Sequence, residues 1–92
     1  MTLAVHPRPA TLPSLFACVV SKKAAKTAVA RNRVRRQVYA ALTPLLEKSH
    51  AGFVCVFYIK SPALLVGRAQ IQYDITTLLR TAGVVDGATQ NR

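Results

Sequence analysis

LFACVVSKKAAKTAVARNRVRR, residues Leu15 to Arg36, is the stretch that decides the fold. Its first six residues form a compact apolar run rich in strand formers. Alternation puts Leu15, Ala17 and Val19 on one face and Phe16, Cys18 and Val20 on the other. Both sets are apolar, so the expectation is a central strand covered on both sides. Polarity changes abruptly at Ser21. From Ala24 to Leu42 the chain holds six alanines, four arginines and no Pro or Gly, which predicts a helix over that span. At 3.6 residues per turn, Thr27, Ala30, Val34, Val38, Ala41 and Leu45 share one face that can pack on a sheet. A strand leading into a helix with such a face is the core of an α/β unit.

Working outward, Thr2 to Val5 (TLAV) is a candidate short strand, and His6 to Pro13, with three prolines, is a loop. After the long helix, Thr43–Pro44 predicts a break and restart, with a short second helix over Leu45 to Lys48. FVCVFYIK, Phe53 to Lys60, is the clearest strand in the chain, again apolar on both faces. Ala63 to Arg68 makes a connection. A final helix is expected over Ala69 to Thr81, its apolar face formed by Ile71, Ile75, Leu78 and Leu79. Gly83 is its natural terminator, and residues 84–92 are expected to fray. The order strand, strand, helix, strand, helix predicts one domain over residues 1–92. Its class is an α/β two-layer sandwich with a small sheet and helices on one face.

Charge points to the partner. The chain of 92 residues carries 13 Lys and Arg against three acids, a net charge of +10. Seven of those cations, Lys22, Lys23, Lys26, Arg31, Arg33, Arg35 and Arg36, lie between Ser21 and Arg36 without one acid among them. Such self-repulsion opposes compaction, and a dense polyanion relieves it. Nucleic acid fits better than a membrane, because no apolar run approaches the ~20 residues of a spanning helix. No signal peptide is visible in the first fifteen residues, so the expected location is the cytoplasm.

A hydrolytic centre is hard to build from Glu47, Asp74 and Asp86, which are far apart in sequence. Cys18 and Cys55 sit in apolar runs and read as small buried hydrophobes. His6 and His50 belong to no ligand spacing, so no metal site and no catalytic residue are expected. Arginine forks and lysine point charges on a rigid helix can, however, meet successive phosphates. Aromatic residues could add base stacking. The candidates are Phe16, Phe53, Phe57, Tyr58 and Tyr73; Phe53 and Phe57 are expected in the core, whereas Phe16 and Tyr58 lie on alternate strand positions whose cover the pattern leaves open.

Val20 to Lys23 (VSKK), followed by Ala28 to Arg36 (AVARNRVRR), resembles the signature of the bacterial ribonuclease P protein component. The resemblance covers roughly Leu15 to Leu79. It implies a fold like domain 2 of ribosomal protein S5, with a left-handed βαβ crossover. It implies a subunit of an RNA-based endonuclease that removes the 5′ leader from precursor tRNA, with the catalytic centre and its Mg²⁺ ions in the RNA subunit. The implied partners are that RNA and the precursor tRNA. The implied RNA contacts are Arg31, Asn32, Arg33, Arg35 and Arg36, with Ser21, Lys22, Lys23 and Lys26 beside them. Phe16 and Tyr58 are candidates for the leader cleft by strand alternation. Members of the family normally begin with a basic segment and a helix whose aromatics wall that cleft. This chain starts almost at its first long strand, so that helix is expected to be absent and the cleft to be open, shallower or completed by another partner, the chain being either a natural short form or a fragment. The alternative is a ribosomal or other structured-RNA-binding protein without a processing role.

Overall fold

The computed structural model describes residues 1–61 and 67–86. Three strands, β1 (Thr2–Pro7), β2 (Leu15–Val20) and β3 (Phe53–Ile59), form one sheet in the order β1-β3-β2. Two helices, α1 (Ala28–Leu46) and α2 (Arg68–Thr81), complete the fold. β3 pairs antiparallel with β1 and parallel with β2. The parallel pair is joined through α1, as parallel strands require a crossover.

Register explains the two layers. Leu3, Phe57 and Cys18 share one rung, and Val5, Cys55 and Phe16 the next. These side chains pack into a single core with Val34, Val38 and Leu42 of α1 and Ile71, Ile75 and Leu79 of α2. Both helices therefore cover the same face. The other face carries Thr2, Tyr58 and Val19, then Ala4, Val56 and Ala17, then His6, Val54 and Leu15. None of these belongs to the core.

The expectation that β2 is central and covered on both sides is therefore corrected. β2 is an edge strand, and Leu15 and Val19 remain 54% and 47% exposed. Among the described residues no element covers the second face, although most of its residues are apolar.

The helix boundaries also differ from expectation. α1 begins at Ala28 rather than Ala24, because Thr27 caps it. Ala24 and Ala25 instead form a turn on Ser21 and are buried. Nor does the helix break at Thr43–Pro44. It runs on to Leu46 with Pro44 inside, and the Thr43 hydroxyl donates to the Tyr39 carbonyl at 2.9 Å. Pro44 withholds one backbone donor near the helix end, and the exposed surroundings let solvent replace it. Leu45, beyond the proline, packs against the core and favours the extra turn.

Val84 and Val85 do not fray. Gly83 takes a left-handed conformation (φ +79°), its N–H donates to the Arg80 carbonyl, and the Val84 N–H donates to Leu79. That pair of bonds is a Schellman ending. It turns the chain back so that Val84 is fully buried and Val85 bridges to Ser49. Of the expected connection over Ala63 to Arg68, residues 63–66 lie outside the described residues, as does the tail from residue 87.

Cys18 and Cys55 are buried free thiols. Burial pushes the Cys18 thiol up to about 11, with the nearby Arg35 charge offsetting part of the rise, and burial raises Cys55 too. The folded state thus holds its thiol protons longer than the unfolded state. Stability is expected to be intact below about pH 9 and to fall as pH rises through about 11. Urea unfolding at stepped alkaline pH checks this: Cys18→Ala should lessen the decline relative to the parent chain.

Candidate nucleic-acid interface

The cationic surface is built on the end of β2. The Ser21 N–H donates to the Ile59 carbonyl at 2.9 Å, so the chain leaves the sheet in register. The Ser21 carbonyl then accepts from the N–H groups of Ala24 and Ala25, both at 3.1 Å. Its hydroxyl oxygen accepts from the Ala24 N–H at 3.2 Å. With Ala24 and Ala25 buried beneath, this turn holds Lys22 and Lys23 outward, exposed. Lys26 follows, also exposed.

Thr27 starts α1, its Oγ1 accepting from the Ala30 N–H at 3.0 Å. No acid occupies the first turn, so the positive end of the helix adds to the cations. Thr27→Ala removes the cap and should cost about 1 kcal/mol. For a domain of this size that is a fall in Tm of roughly 4–8 °C, read by circular dichroism melting.

The arginines have distinct settings. Arg31 is half-buried, and its Nη1 donates back to the carbonyls of Ala25 (3.1 Å) and Lys26 (3.2 Å). It therefore braces the turn that presents the lysines. Arg35 is half-buried, donates from Nη2 to Asn32 Oδ1, and lies close enough to β2 to lower the Cys18 thiol. Arg33 and Arg36 are exposed and face the other flank of α1, where they line a shallow hollow with Gln37, Ala40 and Arg68. Among the described residues His50 Nε2 and Asp86 Oδ1 are hydrogen-bonded at 2.9 Å, and no Lys or Arg side chain is paired with an acid.

The open sheet face adjoins this surface at the ends of β2 and β3. Tyr58 stands there, half-buried, with Lys60 Nζ 5.9 Å from its ring centroid. A ring with a cation beside it can stack a base and hold its phosphate. Phe16 is not on this face. It pairs in register with the fully buried Cys55 and packs against the core, so the sheet separates it from Tyr58. Alternation leaves both aromatics available; the register puts them on opposite faces of the sheet.

Two cations at this surface, Lys60 and Arg68, were not singled out from the sequence. Lys60 follows Tyr58 by two residues and so shares its direction, a signal that strand alternation already held. Arg68 precedes Ile71 and Ile75 by helical spacings, which would have placed it in the last helix.

Among the described residues no three His, Cys, Asp or Glu side chains gather as metal ligands. No helix of the described residues is long and apolar enough to cross a membrane.

Fold and surface together define a class: a small two-layer α/β protein with an acid-free cationic face suited to phosphate oxygens. The family model for ribonuclease P matches residues 1–83, and the chain belongs to that family. It is similar to the ribonuclease P protein component of Synechococcus sp. (strain JA-2-3B'a(2-13)), 32% identical over 88 residues, which cover 92% of this chain and 66% of that protein. The protein of the same name from Microcystis aeruginosa is 33% identical over 75 residues, covering 82% and 62% of the two chains. That from Roseiflexus castenholzii is 44% identical over 62 residues, covering 66% and 51%. The chain thus spans between about half and two thirds of the length of these relatives. No solved structure matches it.

Proposed function

We propose that this chain acts as the protein subunit of ribonuclease P in the cytoplasm. It binds the RNA subunit and assists endonucleolytic removal of the 5′ leader from precursor tRNA. The observation that carries this reading is the array from Ser21 to Arg36: seven cations, no acid and, among the described residues, no ion pair to neutralise them. In this reading Arg33, Arg35 and Arg36 meet RNA phosphates directly, with Asn32 orienting Arg35. Arg31 holds the turn that offers Lys22, Lys23 and Lys26, and touches RNA at its edge. Ser21 sets the exit of that turn from the sheet. The open face beside it, with Tyr58 and Lys60, receives the single-stranded leader.

The catalytic centre and its Mg²⁺ ions are assigned to the RNA subunit. This agrees with the chemistry of the chain, whose three acids lie apart: Asp86 on His50, Asp74 on Gln70, Glu47 at the end of α1. The finer fold reading is the arrangement of domain 2 of ribosomal protein S5, with a left-handed crossover through α1.

Reconstitution tests the proposal. Precursor tRNA and a cognate ribonuclease P RNA are assayed at low Mg²⁺ with and without the protein. The expected result is faster 5′ maturation with the protein and no cleavage by the protein alone. Absence of stimulation, with binding only to ribosomal RNA in a pull-down, would sink it.

A further inference from the structure

α1 does not carry its cations on one side. At 3.6 residues per turn Arg35 lies about 200° around the helix from Arg33. The flank of Arg31, Asn32 and Arg35 borders β2. Arg33, Arg36, Gln37 and Ala40 fall on the other flank, and there the first residue of α2, Arg68, comes alongside them. These five residues line a hollow of about 230 Å³, open to solvent. Arg33, Arg36 and Arg68 are exposed, and Gln37 is half-buried at the side.

Three guanidinium groups around one small hollow repel each other. Among the described residues nothing relieves that: Glu47, Asp74 and Asp86 do not line it, and none of the three arginines has an ion pair. Such an arrangement is matched by an oxyanion carrying one to two charges, with planar forks meeting its oxygens in pairs. Ala40 leaves space where a longer side chain would close the hollow, and Gln37 adds a neutral donor and acceptor. Arg68 lies outside the basic run and is separated from Arg36 by the whole of β3.

We propose that Arg33, Arg36, Gln37 and Arg68 form a second phosphate-binding site, which takes a backbone phosphate of RNA on the α2 flank of α1. The proposal rests on the RNA-binding reading above and deepens it. α1 is then gripped on two flanks, and the RNA must follow the helix round from the β2 side to the α2 side. Arg68 is a binding residue contributed by the second helix, outside the signature of the first.

Two measurements test it. In the first, inorganic pyrophosphate is titrated into the isolated chain and the arginine Nε–H signals are followed by NMR. Saturable shifts are expected for Arg33, Arg36 and Arg68 together, with those of Arg33 and Arg36 strongly reduced in Arg68→Ala. In the second, binding of ribonuclease P RNA is measured against salt. Arg68→Ala should lower the slope of log K against log salt by roughly one, and Arg68→Lys should restore the slope while recovering only part of the affinity. Pyrophosphate shifts that skip Arg68, or an Arg68→Ala slope equal to that of the parent, would overturn the second site. An RNA subunit that fails to bind the parent chain would instead overturn the proposed function, and the pyrophosphate titration would still decide the site.

Discussion

Val38→Asp is expected to abolish the folded state in the absence of a partner. Val38 is fully buried, on the face of α1 turned to the sheet, in the same cluster as Phe57, Leu42, Ile75 and Leu79. Losing the aliphatic side chain forfeits about 1.5–3 kcal/mol of burial. The new carboxylate adds several kcal/mol more, since it is desolvated without a partner. Among the described residues no buried polar or charged side chain exists in the core to pair with it. A domain of 92 residues has only about 5–14 kcal/mol in total, and a net charge of +10 already works against compaction. The substitution thus removes most or all of the stability. Val29→Asp, on the same helix but 68% exposed, is the control and should shift Tm by only a few degrees. Val38→Ala should cost about 2 kcal/mol and keep the fold. Circular dichroism melting of the three variants is sufficient. A Val38→Asp chain that melts with the parent would mean that α1 does not lie on the sheet through this face.

The contrast between Val29 and Val38 shows what periodicity could and could not convey. Spacing by 3.6 identified Val34, Val38 and Ala41 as the packed face because each must exclude water on one side of a regular helix. β2 and β3 were likewise legible as apolar runs. The covered side of β2 was not, because Leu15, Ala17 and Val19 are as apolar as Phe16, Cys18 and Val20. In an ordinary sheet the solvent face is polar. Here it stays apolar while exposed, the kind of patch that marks a binding surface, so the misreading of β2 coincides with the face proposed for the leader. The start of α1 was displaced for a local reason. Ala24 and Ala25 are strong helix formers, yet the Ser21 and Thr27 side chains bind nearby backbone N–H groups and break the helix before Ala28. Val84 and Val85 read as tail in the sequence because a short apolar pair has no period of its own. Only the left-handed turn at Gly83 shows where it goes. The cationic site was legible in its signature, whereas its continuation to Arg68 depends on the packing of α2 beside α1.

Arg35→Ala and Arg36→Ala should each weaken binding to the ribonuclease P RNA about tenfold at moderate salt. A charged hydrogen bond to phosphate contributes roughly 1.5–3 kcal/mol, and 1.4 kcal/mol corresponds to a factor of ten. Each should also lower the salt slope by roughly one, since one fewer counterion is released. Because the two arginines serve different flanks of α1, the double variant should lose about two from the slope. Neither change should unfold the protein, as Arg36 is exposed and Arg35 only half-buried. Their responses to lysine should differ. Arg35 is held by Asn32 and presents a fixed fork, so Arg35→Lys should lose most of the affinity even though it keeps the charge. Arg36→Lys, on an open surface, should retain more. Arg35→Ala has a second readout that involves no RNA: without the guanidinium that now lowers it, the Cys18 thiol should titrate higher still. If that thiol moves while RNA affinity and slope stay unchanged, Arg35 borders β2 as described but α1 is only a solvated basic face. If affinity, slope and thiol all move, the same side chain joins the sheet edge to the RNA, and the register that fixes β2 also fixes where the phosphate lies.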